Sequence, residues 1–366
     1  MKQFFCVGTY TEPILFGTGE VFQGKGQGVY ICSFDEGEIK ILQQFPVRNP
    51  SYLCINEEQR KIYTVNEMKE YLGEVGGGVT QLCYDEFGVI QQEATYNTAG
   101  TDPCHIQLAP NGKFISVANF ASGTVTVFPV QQDGNLNGEK KVFQHEGSSI
   151  HPKRQKGPHA HGTVFCPGVK RMYVPDLGID KLKAYTYEGD LIVPAPEEDV
   201  VVPVGNGPRF GEFTPDGKHF YLINEIASCV LHFTFDQGQL TEKESVNTLP
   251  PDFTGDNICS DLHITPNGRY LYASNRGHDS IVAYRICMDG HLEEIACYNC
   301  GGHTPRNFAI DPKGKYVLVG NQDSDTIAIF AIQRDGSLVF QRIAPFATPV
   351  CIRFFEKTTF DKTFFP

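Results

Sequence analysis

The 366-residue sequence predicts an all-β fold, a seven-bladed β-propeller with four-stranded antiparallel blades. Three observations predict it: two kinds of turn recur along the chain, short β-branched and aromatic runs separate them, and the repeating unit is about 50 residues long. Four strands in a unit of that length are typical of a propeller blade. No helical pattern separates the predicted strands, so we expect almost no helix.

The first recurring turn joins two predicted strands through a Pro-x-Gly sequence. Pro presets φ at the second position of the turn, and Gly supplies a positive φ. Clear copies begin at Pro110, Pro215, Pro266 and Pro312, and degenerate copies lie at 57–61 and 167–171. The strand after each turn ends in a short polar residue, in order Asn66, Asn119, Asp176, Asn224, Asn275 and Asn321. We attribute this series to structure, because such side chains bond backbone groups at strand ends.

The second recurring turn has an acidic or polar residue, Gly, a polar residue and then an aliphatic one. Its seven glycines are Gly37, Gly88, Gly134, Gly189, Gly238, Gly290 and Gly336. The first turn occurs six times and the second seven times, because the chain begins at a second strand (residues 5–9) and ends on a first strand (residues 349–354). We therefore predict one domain over residues 1–366, whose ring is closed by a blade shared between the two termini.

Composition excludes several classes of function. Lys and Arg number 31 against 43 Asp and Glu, so the net charge of −12 disfavours binding to nucleic acid or to anionic membranes. There is no apolar run long enough for a spanning helix, and the N-terminus does not resemble a secretory signal. The twelve cysteines are scattered, mostly in apolar runs, and the one C-x-x-C (Cys297 to Cys300) has no second pair. We expect a cytoplasmic protein with free thiols, no metal and no cofactor.

Charged side chains occur at repeat positions where the blade itself does not need them. Six residues before the turn Pro the chain has Cys104, His161, Arg209, Ser260 and Arg306. Ten residues after the turn position it has Glu67, Phe120, Leu177, Glu225, Arg276 and Gln322. First strands line the central channel of a propeller, and we expect both sets at the same end of the ring. The charged members would then share one polar cavity, and an arginine cluster in an acidic protein suits an anionic ligand.

The segment 138–163 is polar, lacks a strand pattern and lengthens its blade, and long loops in compact domains are often functional. It contains Arg154, His159 and His161. The two histidines alternate on one predicted strand, so they would share a face. H-x-H can ligate a metal, but no cluster nearby completes a site. We favour a general acid–base or substrate-orienting role for His161.

At these residues the sequence resembles a known family over essentially its whole length. The matching motifs are Asn49-Pro50-Ser51-Tyr52, Val65-Asn66-Glu67, Pro103-Cys104-His105, Arg154-Gln155, Pro158-His159-Ala160-His161, Asp176-Leu177-Gly178, Gly207-Pro208-Arg209, Asn224-Glu225, Asn275-Arg276-Gly277, Pro305-Arg306-Asn307 and Asn321-Gln322-Asp323. They resemble the seven-bladed propeller lactonase family, which includes propeller-type 6-phosphogluconolactonases and is similar to fungal 3-carboxy-cis,cis-muconate lactonizing enzymes.

The resemblance implies a catalytic set. The His, two Arg and Glu proposed for the muconate branch fall on His161, Arg209, Arg276 and Glu225. Two departures stand out: Phe120 replaces a frequent Tyr, and Ser260 brings no charge to the fifth inner strand. Neither removes a member of the set.

The expected reaction is hydrolysis of a sugar-acid lactone, 6-phosphogluconolactone above all, to the open acid. Either Glu225 or His161 would take the water proton, and Arg209 with Arg276 would stabilise the oxyanion. Arg306 and Arg154 would hold the substrate phosphate. His159, Glu67, His105 and Gln322 complete the predicted substrate-binding residues. A lactone already hydrolyses in water, so we expect no covalent nucleophile, and no nucleophile elbow is present.

Three alternatives stay open at this point. A muconate-type cycloisomerase would use the same four residues, a metal-dependent propeller lactonase would need a bound ion, and an interaction propeller would have no catalysis at all. The expected partner is a small anionic lactone, with no nucleic acid and no membrane. We expect a monomer or a weak homo-oligomer.

Overall fold

The computed structural model of the chain describes residues 2–15, 19–357 and 360, so the predicted domain ends at 1 and 366 lie outside the described residues. Within these ranges seven sheets each contain a row of four antiparallel strands, which confirms the predicted architecture. One of the seven has a fifth short strand, and two further sheets are two-stranded. The only helical segment described is one 3₁₀ turn, Pro196–Glu198. In the same ranges no helix is long and apolar enough to cross a membrane.

The strands follow the chain blade by blade. The first group comprises β1 (Gln3–Thr9), β2 (Pro13–Leu15), β3 (Val21–Gln23), β4 (Val29–Asp35) and β5 (Glu38–Phe45). Blade 1 follows with β6 (Leu53–Asn56), β7 (Lys61–Asn66), β8 (Glu70–Tyr71), β9 (Glu74–Val75), β10 (Gly78–Tyr84) and β11 (Ile90–Asn97). Blade 2 comprises β12 (Pro103–Leu108), β13 (Phe114–Asn119), β14 (Thr124–Pro129) and β15 (Lys141–Gln144). Blade 3 comprises β16 (Val164–Phe165), β17 (Arg171–Asp176), β18 (Lys181–Glu188), β19 (Leu191–Pro194) and β20 (Val200–Val201).

The remaining blades are regular. Blade 4 comprises β21 (Pro208–Phe213), β22 (His219–Asn224), β23 (Cys229–Asp236) and β24 (Gln239–Asn247). Blade 5 comprises β25 (Ile258–Ile264), β26 (Tyr270–Arg276), β27 (Ser280–Ile286) and β28 (Leu292–Asn299). Blade 6 comprises β29 (Pro305–Ile310), β30 (Tyr316–Asn321), β31 (Thr326–Ile332) and β32 (Leu338–Pro345), and the last strand is β33 (Pro349–Phe354).

Blade 7 is the shared blade, with the strand order β33-β1-β4-β5. Strand β33 pairs antiparallel with β1, so that Phe5 faces Phe354 and Val7 faces Ile352. The last strand is thus the innermost strand of a sheet whose other strands come from the N-terminus. This confirms the predicted closure, which leaves no gap between the first blade and the last.

Turn and strand-end chemistry follow the repeat. All seven glycines of the second turn have positive φ, between 62° and 87°. The Asn and Asp residues that end the second strands are fully buried. Their side chains bond backbone groups across the strand end: Asn66 Nδ2 donates to the Arg48 carbonyl at 2.7 Å, and Asn275 Nδ2 donates to the Thr248 carbonyl at 2.8 Å. The predicted structural role of this series is confirmed.

Apolar residues pack between neighbouring blades, in one cluster at each of the seven interfaces found among the described residues. The alternation of β-branched and aromatic residues along the strands supplies both faces of every sheet. Buried tyrosines add bonds between blades, because Tyr221 donates to the Gly290 carbonyl at 2.6 Å and Tyr272 to the Gly336 carbonyl at 2.9 Å. Each turn is therefore tied to the blade before it.

Polar bonds connect the inner strands around the channel. Ser260 Oγ on β25 donates to the Arg306 carbonyl on β29 at 2.5 Å, and the Ile352 amide on β33 donates to Asn307 Oδ1 at 2.7 Å. Arg209 on β21 donates to the Ser260 carbonyl. These bonds set the inner strands side by side, so residues at equal repeat positions meet at one level of the channel.

Ile352→Ala tests the shared blade. Ile352 is fully buried between blades 6 and 7, so we expect the free energy of unfolding to fall by about 2–5 kcal/mol in urea denaturation. The matched control is Ile343→Ala on the outer strand β32, where the side chain is 45% exposed and the loss should stay below about 1 kcal/mol. Equal losses in the two variants would contradict closure by a packed β33.

Candidate active site

One end of the channel opens into a cavity of about 1060 Å³. Its wall is built from the loops that follow second strands and from the segments that lead into first strands. The predicted site residues that line it are Glu67, Arg154, His161, Glu225, Arg276, Arg306 and Gln322. The repeat alignment brought these side chains to one end of the ring, and the structure places them in one cavity.

Glu225 is the centre of the charge network. This carboxylate is 2% exposed and accepts hydrogen bonds from three guanidinium groups. Arg154 Nη2 lies 2.5 Å from Oε1, while Arg209 Nε and Arg276 Nη2 lie 3.0 and 2.8 Å from Oε2. Burial alone would raise the pKa of Glu225, but the arginines and the nearby His161 hold it well below its usual range. Glu225 is therefore ionised at neutral pH.

His161 lies beside this network as a buried neutral imidazole. Its Nε2 is 3.7 Å from Glu225 Oε2, and its Nδ1 is 3.7 Å from Cys104 Sγ. Burial and the charge of Arg209 lower the pKa of His161 well below its usual range, although Glu225 opposes the shift. The ring can accept a proton, and Glu225 is placed to stabilise the resulting imidazolium.

Arg306 belongs to a second, connected group. Its Nη2 lies 3.7 Å from Glu67 Oε1, and its guanidinium carbon lies 5.1 Å from the centre of the Tyr10 ring. The Tyr10 hydroxyl donates to Glu67 Oε2 at 2.8 Å. Burial would lower the pKa of Arg306, but Tyr10 and the Glu67 and Glu225 carboxylates raise it. Burial lowers the pKa of Arg276 to about 10, so both arginines remain charged at neutral pH.

A small enclosed chamber lies next to the cavity and shares Glu67, Cys104, His161 and Arg306 with it. Arg209 and His105 line this chamber, together with Asp261. Asp261 Oδ2 accepts hydrogen bonds from Asn307 Nδ2 at 2.5 Å and from His263 Nε2 at 3.1 Å. The His263 Nδ1 atom lies 2.9 Å from Glu212 Oε2. Asp261, in the wall of the chamber, therefore forms a second ion pair with His263.

Two predictions about the long loop need revision. Residues 159–161 do not form the expected strand, because the only pairing there is an isolated bridge between Ala160 and Asp176. The two histidine rings nevertheless both contact the Phe120 ring. The distance between ring centres is 4.5 Å for His159 and 5.3 Å for His161. His159 Nδ1 lies 2.9 Å from the Phe120 carbonyl, and His159 is not among the residues that line the cavity or the chamber.

The described residues contain no group of three or more His, Cys, Asp or Glu side chains arranged to hold a metal ion. All twelve cysteines are free thiols, and nine of them are buried. Burial raises the pKa of Cys104 well above its usual range, so the thiol beside His161 stays protonated. The polar chemistry of the cavity is therefore that of arginine, carboxylate and imidazole.

Sequence comparison of the repeats missed Tyr10 and Asp261. Tyr10 follows β1, the second strand of blade 7, and so has the same repeat position as Gln322, but the turn Pro that marks this position in other blades has no copy there. Asp261 lies one residue after the compared position Ser260, at an irregularity in the strand pairing between Cys259 and Leu262. The inner strands of blades 2, 4 and 6 have the same irregularity, and the residue after the compared position lines the chamber there too: His105, Phe210 and Asn307. A charged residue next to a compared position was the available signal.

The chain is similar to known proteins over most of its length. Residues 4–354 match the family model described as lactonase, 7-bladed beta-propeller. The 6-phosphogluconolactonase of Bacillus subtilis is 30% identical over 310 residues, which cover 82% of this chain and 83% of that protein.

Two solved structures are similar along nearly the full length. A putative 6-phosphogluconolactonase from Bacteroides fragilis has a TM-score of 0.87 and 32% identity, covering 97% of this chain and 98% of that one. A periplasmic gluconolactonase from Pseudomonas aeruginosa has a TM-score of 0.88 and 31% identity, covering 97% and 99%. The predicted resemblance is confirmed by these matches.

The ion pair in the chamber predicts a pH dependence of stability. Burial would lower the pKa of His263, but Asp261 and Glu212 raise it to about 9. Because the folded pKa exceeds the unfolded value of about 6.5, the stabilisation is complete below pH ~6.5 and is lost as the pH rises through about 9. We expect the free energy of unfolding to fall across this window by up to about 3 kcal/mol more in the native chain than in His263→Gln.

Urea denaturation at several pH values between 6 and 10 measures this difference. His303→Gln is the matched control, since that side chain is 74% exposed, and its profile should follow the native chain. Parallel profiles for the native chain and His263→Gln would show that the ion pair does not form.

Proposed function

We propose that this chain, which belongs to the seven-bladed β-propeller lactonase family, has 6-phosphogluconolactone as its substrate. A lactonase is an enzyme that opens cyclic esters with water, and this chain is one. The product would be 6-phosphogluconate. Relatives described as 6-phosphogluconolactonases support this substrate. The remaining support comes from the charge of the site.

The arginine cluster of the cavity and the chamber is the observation that carries the proposal. Four guanidinium groups, from Arg154, Arg209, Arg276 and Arg306, contact the Glu225 and Glu67 carboxylates. A phosphate monoester carries about −1.5 to −2 charges at neutral pH and accepts bidentate bonds from guanidinium groups. Four guanidinium groups in one site therefore favour a phosphorylated lactone over an unphosphorylated one.

The phosphate would bind Arg306 and Arg154. Arg154 is in the loop between β15 and β16. Its guanidinium group contacts Glu225 through Nη2, so its other nitrogens can bind a ligand. Bidentate guanidinium–phosphate bonds are strong and directional. Gln322 lies within 3.5 Å of Arg306 Nη1 and would orient that side chain.

Arg209 and Arg276 would stabilise the oxyanion that forms when water adds to the lactone carbonyl. They converge on the same oxygen of Glu225, so their guanidinium groups are adjacent. Arg276 Nε is buried and has no hydrogen-bond partner among the described residues. A preorganised donor of this kind is worth about 10²–10³ in rate.

His161 is the better candidate for the general base. Glu225 already accepts three charge-assisted bonds, which leave little capacity to accept a proton. The neutral imidazole of His161 can take the proton of the attacking water, and Glu225 at 3.7 Å would stabilise the charge that develops. In this arrangement Glu225 both fixes the two arginines and supports the base.

For the setting of the enzyme we propose a monomer or weak homo-oligomer in the cytoplasm, with a small anionic lactone as its ligand. Free, mostly buried thiols suit a reducing compartment. The net charge of −12 disfavours nucleic acid and anionic membranes as partners.

Arg209→Ala and His161→Gln test the assignment of roles. With freshly prepared 6-phosphogluconolactone, chelator present and spontaneous hydrolysis subtracted, we expect kcat/KM to fall about 10²–10³-fold for Arg209→Ala and about 10²–10⁴-fold for His161→Gln. The matched control is Arg342→Ala, an arginine that is 50% exposed and pairs with Glu38 on the outer strand β5, and it should keep native activity.

The same assay separates the alternatives. No acceleration by the native chain, with activity on a carboxymuconate instead, would replace hydrolysis by lactone formation. Activity that disappears with chelator and returns with Ca²⁺ or Zn²⁺ would assign the reaction to a metal. Native activity in both variants would mean that the cavity is not the site.

The pH profile provides a further prediction. Because the pKa values of His161 and Glu225 both lie well below their usual ranges, kcat at saturating lactone should not decline as the pH falls through 6.5. We choose kcat because kcat/KM also reports the phosphate of the free substrate, whose second pKa is about 6. Initial rates between pH 4.5 and 7 measure this, in a range where the uncatalysed hydrolysis of lactones is slowest. An acid limb centred at or above pH 6.5 would contradict the assignment of a buried, neutral His161 as the base.

A further inference from the structure

Asp102 is a buried acidic residue of the cavity that the proposed mechanism has not used. It lies immediately before β12, is 7% exposed, and lines both the main cavity and an adjoining groove of about 460 Å³. Within the described chain its carboxylate has one polar partner, Lys69 Nζ at 3.9 Å, and the Lys69 side chain is itself 51% exposed. A carboxyl group this buried normally has several hydrogen bonds.

The repeat shows that Asp102 is not needed by the fold. Five inner strands begin at or shortly after a proline. The residue immediately before that proline has a positive φ in each case: Asn49, Asp102, Gly207, Thr304 and Thr348. Where that residue has a polar side chain in the other blades, the side chain bonds its surroundings. Asn49 Oδ1 accepts from the Thr11 amide at 2.8 Å, and Thr304 Oγ1 donates to Asp323 Oδ2 at 2.5 Å. Asp102 is the only charged member and has no such bond.

Its place in the wall is close to His161. Asp102 precedes Cys104 by two residues, about 7 Å along a strand, and Cys104 Sγ lies 3.7 Å from His161 Nδ1. The Asp102 carbonyl accepts from the Phe120 amide at 2.9 Å, and the Phe120 ring centre lies 5.3 Å from that of His161. Asp102 and His161 both line the main cavity, so a ligand that occupies this cavity faces a carboxyl group and an imidazole.

We propose that Asp102 is the general acid of the reaction, which donates its proton to the ring oxygen of the lactone as the ester bond breaks. This inference rests on the proposed lactone hydrolysis and deepens it. An aliphatic alkoxide is a poor leaving group, so its departure needs a proton at the moment of cleavage.

The proton balance of the step is complete. His161 takes one proton from water as the hydroxide adds to the carbonyl carbon. The tetrahedral intermediate then collapses, the bond from the carbonyl carbon to the ring oxygen breaks, and the Asp102 carboxylic acid supplies the proton that makes this oxygen a hydroxyl. The imidazolium of His161 and the carboxylate of Asp102 return to their starting states by proton exchange through cavity water.

The surroundings of Asp102 favour its protonated form. Burial and the neighbouring Glu67 raise its pKa to about 7, and only Lys69 opposes the shift. Arg48 and Glu70 line the groove on which Asp102 also opens, while His161 and Arg306 line the cavity. An acid near pH 7 beside a base with a lowered pKa is the separation that acid–base catalysis requires.

Steady-state kinetics of Asp102→Asn test the role. With 6-phosphogluconolactone we expect kcat to fall about 10²-fold or more while KM changes little, because the interaction acts in the transition state. In the native enzyme kcat should decline as the pH rises through about 7, and the variant should lack this basic limb. The matched control is Asp190→Asn at an exposed turn, which should behave as the native chain. Native kcat and an unchanged basic limb in Asp102→Asn would overturn the proposal.

A titration that needs no substrate separates this proposal from the choice of lactone. In protein labelled with ¹³C at aspartate carboxyl groups, one resonance should titrate near pH 7 and be missing from Asp102→Asn. If the native chain fails to accelerate the hydrolysis of 6-phosphogluconolactone, the proposed substrate is wrong, and this resonance still decides whether Asp102 holds a proton. Titration of the assigned resonance below about pH 5 would overturn the proposal with any substrate.

Discussion

The pairing of β33 with β1 is the constraint on which the rest of the molecule depends. Seven sheets can surround a channel only if the last meets the first, and here a strand from the end of the chain becomes the innermost strand of a sheet begun at its start. Closure fixes the circumference, and the circumference fixes how closely the inner strands approach. Residues from all seven blades then line one small chamber. If the ring were open at the shared blade, Arg306 and Asn307 on β29 would have no fixed strand beside them on that side.

Many charged side chains are buried together at the centre of the ring. The fold accommodates them because each carboxylate lies against positively charged groups. Burying a guanidinium or a carboxylate alone costs several kcal/mol, and removing one partner of a buried pair typically costs about 3–5 kcal/mol. Glu225 lies among Arg154, Arg209 and Arg276, Glu67 lies against Arg306, and Asp261 lies against His263. Charges of both signs also face the main cavity, where Asp256 and Asp323 line the wall together with Arg276 and Arg306.

The same burial that assembles the charges also separates the acid from the base. Arginines around Glu225 keep it ionised, while burial and the charge of Arg209 keep His161 neutral. At Asp102 the nearest ionisable neighbours are a second carboxylate and a loosely placed lysine, so the same burial works in the opposite direction and favours the acid form. In water a carboxylic acid loses its proton at a lower pH than an imidazolium. In this cavity the order is reversed, because the pKa of Asp102 is raised and that of His161 is lowered. Proton transfer in both directions becomes possible near neutral pH without a metal or a covalent intermediate.

The sequence by itself determined the propeller, the number of blades, the shared blade and the repeat positions at which charge gathers. These follow from turn chemistry and from strand periodicity, which are local, and from counting copies of a unit. Only the tertiary structure decided which charges meet. Three features depend on distances between side chains of different blades: Glu225 bonds three arginines, Asp261 accepts a hydrogen bond from Asn307, and the Asp102 carboxylate has no hydrogen bond within the described part of the chain. Such distances are set by closure of the ring and by packing between sheets, and no local pattern of residues contains them.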